Sequence, residues 1–137
     1  MATSEPPAVL VVEDDPSVRG LIAAALQDEG YHVLEARNGH DAIRVVNEHP
    51  KRAEWPCLVL LDLMLPDTDG IHVLEQLAAP YGRVPVIAMS ASRGHLAAAQ
   101  RVGADAVLPK PFDLDRLVDL VEAYRDQARR QTPDSRA

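Results

Sequence analysis

The segment CLVLLD, residues 57–62, is an unbroken apolar run that ends at a carboxylate. A short continuous run of this kind is typical of a strand in a parallel sheet that is covered on both faces. Three further apolar runs also end at polar side chains: residues 8–12 before Glu13 and Asp14, residues 85–89 before Ser90, and residues 106–108 before Pro109 and Lys110. Because ligands bind outside the carboxyl ends of parallel strands, we expect these side chains to share a pocket.

The rest of the chain alternates between strand-like and helical patterns. We predict strands at 8–12, 31–35, 57–61, 85–89 and 106–108, and helices that begin near Asp15, Asn38, Asp69, His95 and Asp113. This alternation predicts an α/β fold. The expected architecture is a flavodoxin-like, doubly wound, five-stranded parallel sheet of order 2-1-3-4-5 with five helices. That order places the first and third strands side by side, which brings Glu13, Asp14 and Asp62 together.

The helical periodicity also predicts which side chains form the core. The residues expected to face inward are Val18, Leu21, Ile22, Ala25 and Leu26 in the first helix, Ala42, Ile43 and Val46 in the second, Ile71, Leu74 and Leu77 in the third, Leu96, Ala99 and Val102 in the fourth, and Leu114, Leu117, Val118 and Val121 in the fifth. The inner face of the fourth helix is thin, and we therefore expect it to be the helix most easily displaced.

Length and composition are those of a single globular domain. The chain has 137 residues, 47% of them hydrophobic and 26% charged. We expect a disordered lead at 1–7, one domain at 8–126 and a frayed polar tail at 127–137. With a net charge of -7, the chain should be repelled by nucleic acid, so we expect no direct nucleic-acid partner. A single cysteine, no signal peptide and no membrane span predict a cytoplasmic protein.

The polar residues at the strand ends are suited to phosphoryl chemistry. Carboxylates crowded into one pocket repel each other, which should raise the proton affinity of at least one of them. Mg²⁺ would relieve that repulsion and accepts oxygen ligands and phosphate. Lys110 can pair with Asp62 or with a phosphoryl oxygen, and Ser90 can donate a hydrogen bond to the same oxygens. These groups permit attack by the Asp62 carboxylate on phosphorus to give an acyl phosphate.

Four motifs in this order resemble the receiver domain of bacterial two-component response regulators. They are VVEDDP at 11–16, LLDLMLP at 60–66 with Asp69-Gly70, MSA at 89–91 and KPF at 110–112, and the resemblance extends over about residues 8–124. It implies that Asp62 is the phosphoacceptor. It also implies that Asp14 contacts Mg²⁺ directly, that Glu13 does so mainly through water, and that the backbone carbonyl of Met64 is a further ligand.

The same resemblance implies a switch region. Ser90 stands where the family has a Ser or Thr that moves toward the phosphoryl group, and Lys110-Pro111 is a candidate cis peptide. The family has Tyr or Phe three positions before the lysine, where this chain has Val107. Because Val107 lacks a ring, we expect activation to act through Ser90, Ala91 and the start of the fourth helix. The expected output surface is formed by the fourth helix, the fifth strand and the fifth helix.

Two functional classes follow from these observations. The first is a phosphorylatable signalling switch, not an enzyme, which takes phosphate from a histidine kinase or histidine phosphotransfer protein and acts on a protein partner or a homodimer. The second is a receiver-like interaction module that works without phosphorylation. A haloacid dehalogenase-type phosphatase would need a second Asp where this chain has Met64. A calcium loop through Asp67 and Asp69 lacks suitable end ligands, so we interpret these residues as a turn that caps the third helix.

Overall fold

A computed structural model of the chain describes residues 7–48, 56–78 and 84–131. The strands are β1 (Ala8–Val12), β2 (His32–Ala36), β3 (Leu58–Asp62), β4 (Val86–Ser90) and β5 (Ala106–Pro109), and the helices are α1 (Pro16–Asp28), α2 (Gly39–Glu48), α3 (Gly70–Ala78), α4 (Arg93–Val102) and α5 (Leu114–Gln131). The predicted lead lies outside the described residues apart from Pro7. The predicted tail overlaps the end of α5, and fraying there stays a prediction.

All five strands are parallel and form one sheet of order β2-β1-β3-β4-β5. This confirms the predicted fold and strand order. Val12 pairs with Leu61, and Asp62 pairs with Met89, so the carboxyl ends of β1, β3 and β4 lie next to each other. Ser90 pairs with Pro109, which brings Lys110 to the same edge of the sheet. The strand register therefore brings the four predicted strand ends together at the carboxyl edge of the sheet.

Alternate side chains of the buried strands pack on opposite faces of the sheet, as the two-residue period of a strand requires. One core joins the strands to α1 and α5 through Val9, Val11, Leu58, Leu60, Ile87, Met89 and Leu108 together with Ile22, Leu26, Leu117 and Val121. The other joins them to α2, α3 and α4 through Leu10, Val12, Val59, Leu61, Val86 and Ala88 together with Ala42, Val73, Leu74, Leu77, Leu96 and Ala99. The strands β1, β3 and β4 are therefore covered by helices on both faces of the sheet.

Helix ends follow local capping chemistry. The Asp15 carboxylate accepts a hydrogen bond from the Ser17 N–H at 2.9 Å and Pro16 opens α1, both as predicted. The helix α4 begins at Arg93, two residues before the predicted start, because the Ser92 hydroxyl oxygen accepts the His95 N–H at 3.2 Å. Gly103 ends α4 with a φ of 121°, a left-handed conformation that glycine tolerates.

The core prediction was wrong in detail. Leu21 was expected inside but is 60% exposed, whereas Ala23, Val45 and Val73 were not expected inside and are buried. A helix buries one apolar stripe and not every apolar residue that it contains. Which side chains are buried therefore depends on the rotation of the helix about its own axis. Among the described residues, no helix has both the length and the apolar character needed to cross a membrane.

Candidate functional site

Three carboxylates meet at the carboxyl end of β1 and β3. Glu13 and Asp14 follow β1 directly, and Asp62 is the last residue of β3. One carboxylate oxygen from each lies within 4.8 Å of the others. Glu13 and Asp62 are only 2% and 3% exposed, whereas Asp14 is exposed to solvent. This confirms the predicted acidic pocket, which has two buried carboxylates and one at its mouth.

Lys110 supplies the positive charge of the pocket. Its Nζ lies 3.1 Å from Glu13 Oε1 and 3.3 Å from Asp62 Oδ2. The pairing with Asp62 was predicted from the sequence, but the pairing with Glu13 was not. A compact ammonium group suits this place because it can donate to two carboxylates that approach from different directions.

The pKa values of the pocket reflect burial and crowding. Burial raises the pKa of Glu13, the negative charge of Asp62 raises it further, and the hydrogen bond from Lys110 only partly opposes both effects. Burial by itself would lower the pKa of Lys110, but the carboxylates of Asp62 and Glu13 outweigh it and raise that pKa. The prediction that one carboxylate gains proton affinity is confirmed for Glu13.

Both oxygens of Asp62 are held by donors. Oδ1 accepts a hydrogen bond from the Met64 N–H at 3.0 Å, and Oδ2 faces Lys110. The Met64 side chain is 55% exposed, so this residue contributes to the pocket through its backbone. Oxygen donors with net negative charge are the ligands that Mg²⁺ prefers. One carboxylate oxygen each from Glu13, Asp14 and Asp62 lies within 4.8 Å of the other two, so the donor set fits this ion.

Ser90 ends β4 and is fully buried. Its Oγ accepts a hydrogen bond from the Ser92 N–H at 3.0 Å, and Ser92 in turn caps α4. Ala91 between them is exposed. Val107 pairs with Ala88 in the sheet and packs, partly buried, against the core on the α4 side. The structure therefore connects Ser90 directly to the first turn of α4, and it keeps Val107 on the face that this helix covers.

Two features beside the pocket were not found from the sequence. Arg19 donates from Nη1 to the backbone carbonyl of Glu13 at 2.8 Å and from Nε to Glu35 Oε1 at 3.0 Å, which ties the end of β1 to β2. An apolar groove of about 410 Å³ opens next to Lys110 between α1 and the start of α5. Its lining residues are Val18, Leu21, Ile22, Ala91, Lys110, Pro111, Phe112 and Leu114. Lys110-Pro111 is a cis peptide bond, as predicted.

Comparison with known proteins gives a consistent result. The family model described as "Response regulator receiver domain" matches residues 9–122. The chain is 35% identical to the response regulator MprA of Mycolicibacterium vanbaalenii over 96% of its own length but spans only 54% of that protein. It is 33% identical to sporulation initiation phosphotransferase F of Bacillus subtilis, with coverage of 85% of this chain and 91% of that one.

A solved structure agrees with these relatives. The receiver domain of NtrX from Brucella abortus superposes with a TM-score of 0.77 at 32% identity, over 86% of this chain and 98% of that domain.

Proposed function

Because the chain belongs to the family of response regulator receiver domains, which accept a phosphoryl group in two-component signalling, we propose that Asp62 is the residue that receives it. The observation that carries this proposal is the position of Asp62 at the end of a central strand, where Met64 and Lys110 each hold one of its oxygens. A carboxylate fixed by two donors presents its oxygen in a defined direction, which favours attack on phosphorus.

In the proposed reaction, an oxygen of the Asp62 carboxylate forms a bond to phosphorus as the bond between phosphorus and the donor's imidazole nitrogen breaks. The electron pair of that bond stays with the imidazole. Lys110 neutralises negative charge as it develops on the phosphoryl oxygens, and the hydroxyl group of Ser90 donates a hydrogen bond to them. The oxygens of Glu13, Asp14 and Asp62 and the carbonyl of Met64 would hold Mg²⁺, which supplies further positive charge to the phosphoryl group.

The phosphoryl donor in this proposal is a phosphohistidine of a histidine kinase or a phosphotransfer protein. The Bacillus subtilis relative, which has nearly the length of this chain and is named a phosphotransferase, supports transfer between proteins. The apolar groove beside Lys110 offers a surface for the donor next to the acceptor. In this scheme the chain is a switch that acts on a protein partner or a second copy of itself, and not an enzyme with repeated turnover.

The experiment that tests the proposal is phosphoryl uptake measured by intact mass. Incubation with acetyl phosphate and Mg²⁺ should add a single phosphoryl group per chain, and chelation of the metal should prevent the addition. The reason is that a buried, already crowded pocket cannot accept a dianion without added positive charge. Folded protein that takes up no phosphate in the presence of Mg²⁺ would instead favour the interaction module that works without phosphorylation.

The proposed signal passes from Ser90 to α4. If the Ser90 hydroxyl turns toward the phosphoryl group, its Oγ no longer accepts the Ser92 N–H, and the cap of α4 loosens. Loss of a helix cap weakens the first turn by about 1 kcal/mol, so amide exchange in residues 90–102 should become about fivefold faster. Hydrogen exchange with and without beryllium fluoride and Mg²⁺ measures this, with α1 as internal control. Unchanged exchange in 90–102, together with a change on a distant surface, would refute this route.

A further inference from the structure

Asp67 lies in the β3–α3 loop but makes its hydrogen bonds to another helix. Its Oδ1 accepts the backbone N–H of Gly39 at 2.9 Å, and its Oδ2 accepts the N–H of His40 at 3.1 Å. The ring Nδ1 of His40 lies 2.6 Å from the same Oδ2. These contacts cap the start of α2. The turn predicted to cap α3 does so through Asp69, whose Oδ1 accepts the Ile71 N–H at 3.0 Å.

The loop and α2 are also in close steric contact. A β-carbon added to Gly39 would lie 2.3 Å from Thr68 Cγ2 and 2.8 Å from Val73 Cγ2. Only a residue without a side chain lets α2 approach the loop this closely. Two interactions therefore hold the loop against α2. They are the hydrogen bonds to the Asp67 carboxylate and the close packing that a glycine at position 39 permits.

The same loop also contacts the acidic pocket. Three positions before Asp67, the Met64 N–H donates to Asp62 Oδ1, and Met64 forms an isolated antiparallel bridge with Asp69. The Glu13 N–H donates at 3.0 Å to the carbonyl of Ala36, which is the last residue of β2 before α2. Hydrogen bonds thus connect Asp62 to the β3–α3 loop and Glu13 to the end of β2, and the bonds of Asp67 attach that loop to α2.

The carboxylate of Asp67 is well suited to this task. Burial alone would raise its pKa, but the hydrogen bonds from Gly39 N–H, His40 N–H and the His40 ring together hold the pKa of Asp67 below its usual value. At neutral pH the group is therefore ionised and accepts hydrogen bonds with both oxygens. Hydrogen bonds to an ionised acceptor are stronger than those between neutral groups.

From this geometry we propose that Asp67 is a positioning residue: by tying the β3–α3 loop to α2, it fixes the backbone of Met64 and so sets the affinity of the acidic pocket for Mg²⁺. The inference rests on the proposed function, because it assumes that the pocket binds this ion. Outer partners that orient metal ligands typically change affinity by about 10- to 100-fold when they are removed.

The test compares Asp67→Ala with Asn38→Ala. Asn38 Oδ1 accepts the Asp41 N–H at 2.8 Å, so it also caps α2, through a hydrogen bond to the helix itself. Calorimetric titration should show a Kd for Mg²⁺ that is about tenfold higher in Asp67→Ala and unchanged in Asn38→Ala. Asp67→Asn should lie between, because its amide oxygen can still accept the Gly39 N–H. In metal-free protein, exchange of amides in residues 63–70 should be faster than wild type in Asp67→Ala but not in Asn38→Ala.

The outcomes separate this inference from the proposed function. Wild-type protein that neither binds Mg²⁺ nor takes up phosphate contradicts the proposed function, and this inference with it. Wild-type protein that does both, with an Asp67→Ala variant of equal Kd and equal exchange in 63–70, contradicts this inference alone. An Asn38→Ala variant that raises the Kd as much as Asp67→Ala would also overturn it, because the effect would then be general weakening of α2.

Discussion

Replacement of Asp62 by Asn is expected to abolish phosphoryl uptake while the fold is retained. The amide of Asn has nearly the shape of the carboxylate, and its oxygen can still accept the Met64 N–H, so the loop keeps its anchor. It has no negative charge and is a poor nucleophile, so no acyl phosphate can form. Intact mass after incubation with acetyl phosphate and Mg²⁺ should show uptake at background level.

The matched control for this substitution is Asp69→Asn. Asp69 is exposed and lies in the same loop, where its Oδ1 accepts the Ile71 N–H, a contact that an amide oxygen can reproduce. This variant should take up phosphate as the wild type does. Equal uptake by wild type and Asp62→Asn would show that phosphate is attached elsewhere, and loss of uptake in both variants would indicate a requirement for loop charge.

Replacement of Lys110 by Met should produce the largest loss of stability among single changes in the pocket. Glu13 and Asp62 are 2% and 3% exposed and would lose the ammonium group that lies between them. Removal of one partner from a buried ion pair costs about 3–5 kcal/mol, since the remaining charge stays buried. Urea unfolding of metal-free protein at pH 8 should show a loss of this size.

The loss should be smaller at pH 5. The pKa of Glu13 is already raised above 4.5, and removal of Lys110, which lowers it, should raise it further. A carboxyl group whose pKa is raised by folding favours the folded state at low pH, and this contribution is lost as the pH rises from about 4.5 through the folded-state pKa. At pH 5 Glu13 can therefore take up a proton, which relieves the repulsion from Asp62.

The control for Lys110→Met is Arg44→Met. Arg44 pairs with Asp41 on the surface, where the side chain of Arg44 is 56% exposed. Loss of a surface pair costs about 1 kcal/mol or less.

Mg²⁺ should stabilise Lys110→Met more than the wild type, because the uncompensated carboxylates gain more from an added cation. A Lys110→Met variant as stable as Arg44→Met at pH 8 would show that the ammonium is not needed for folding.

The sequence predicted the sheet and most of the pocket for a simple physical reason. Apolar runs with a polar residue at the end define both the strand and the place where it stops, and parallel strands bring those places together. Asp62, Ser90 and Lys110 were found in this way. The strands β3 and β4 each begin and end one residue later than predicted, so Asp62 and Ser90 belong to the sheet itself. Their backbones are thus held by strand pairing.

Contacts between loops were not predictable in the same way. Asp67 could serve either α2 or α3, and the choice depends on how closely Gly39 lets the two elements approach. The bond from Arg19 to the Glu13 carbonyl likewise depends on the rotation of α1, which also decides that Leu21 is exposed. A period of 3.6 residues gives the apolar stripe of a helix but not the angle at which the stripe meets the sheet.

The ion pair between Glu13 and Lys110 joins residues that are 97 positions apart in the chain. Contacts of such long range raise the contact order and form only after the intervening segments have come together. During translation, β1 and β3 leave the ribosome well before Lys110 does, so a nascent chain contains the Asp62 carboxylate before the ammonium group that pairs with it. In the proposed reaction, competence to receive phosphate would therefore belong to the finished domain, and a chain interrupted before Lys110 should take up no phosphate.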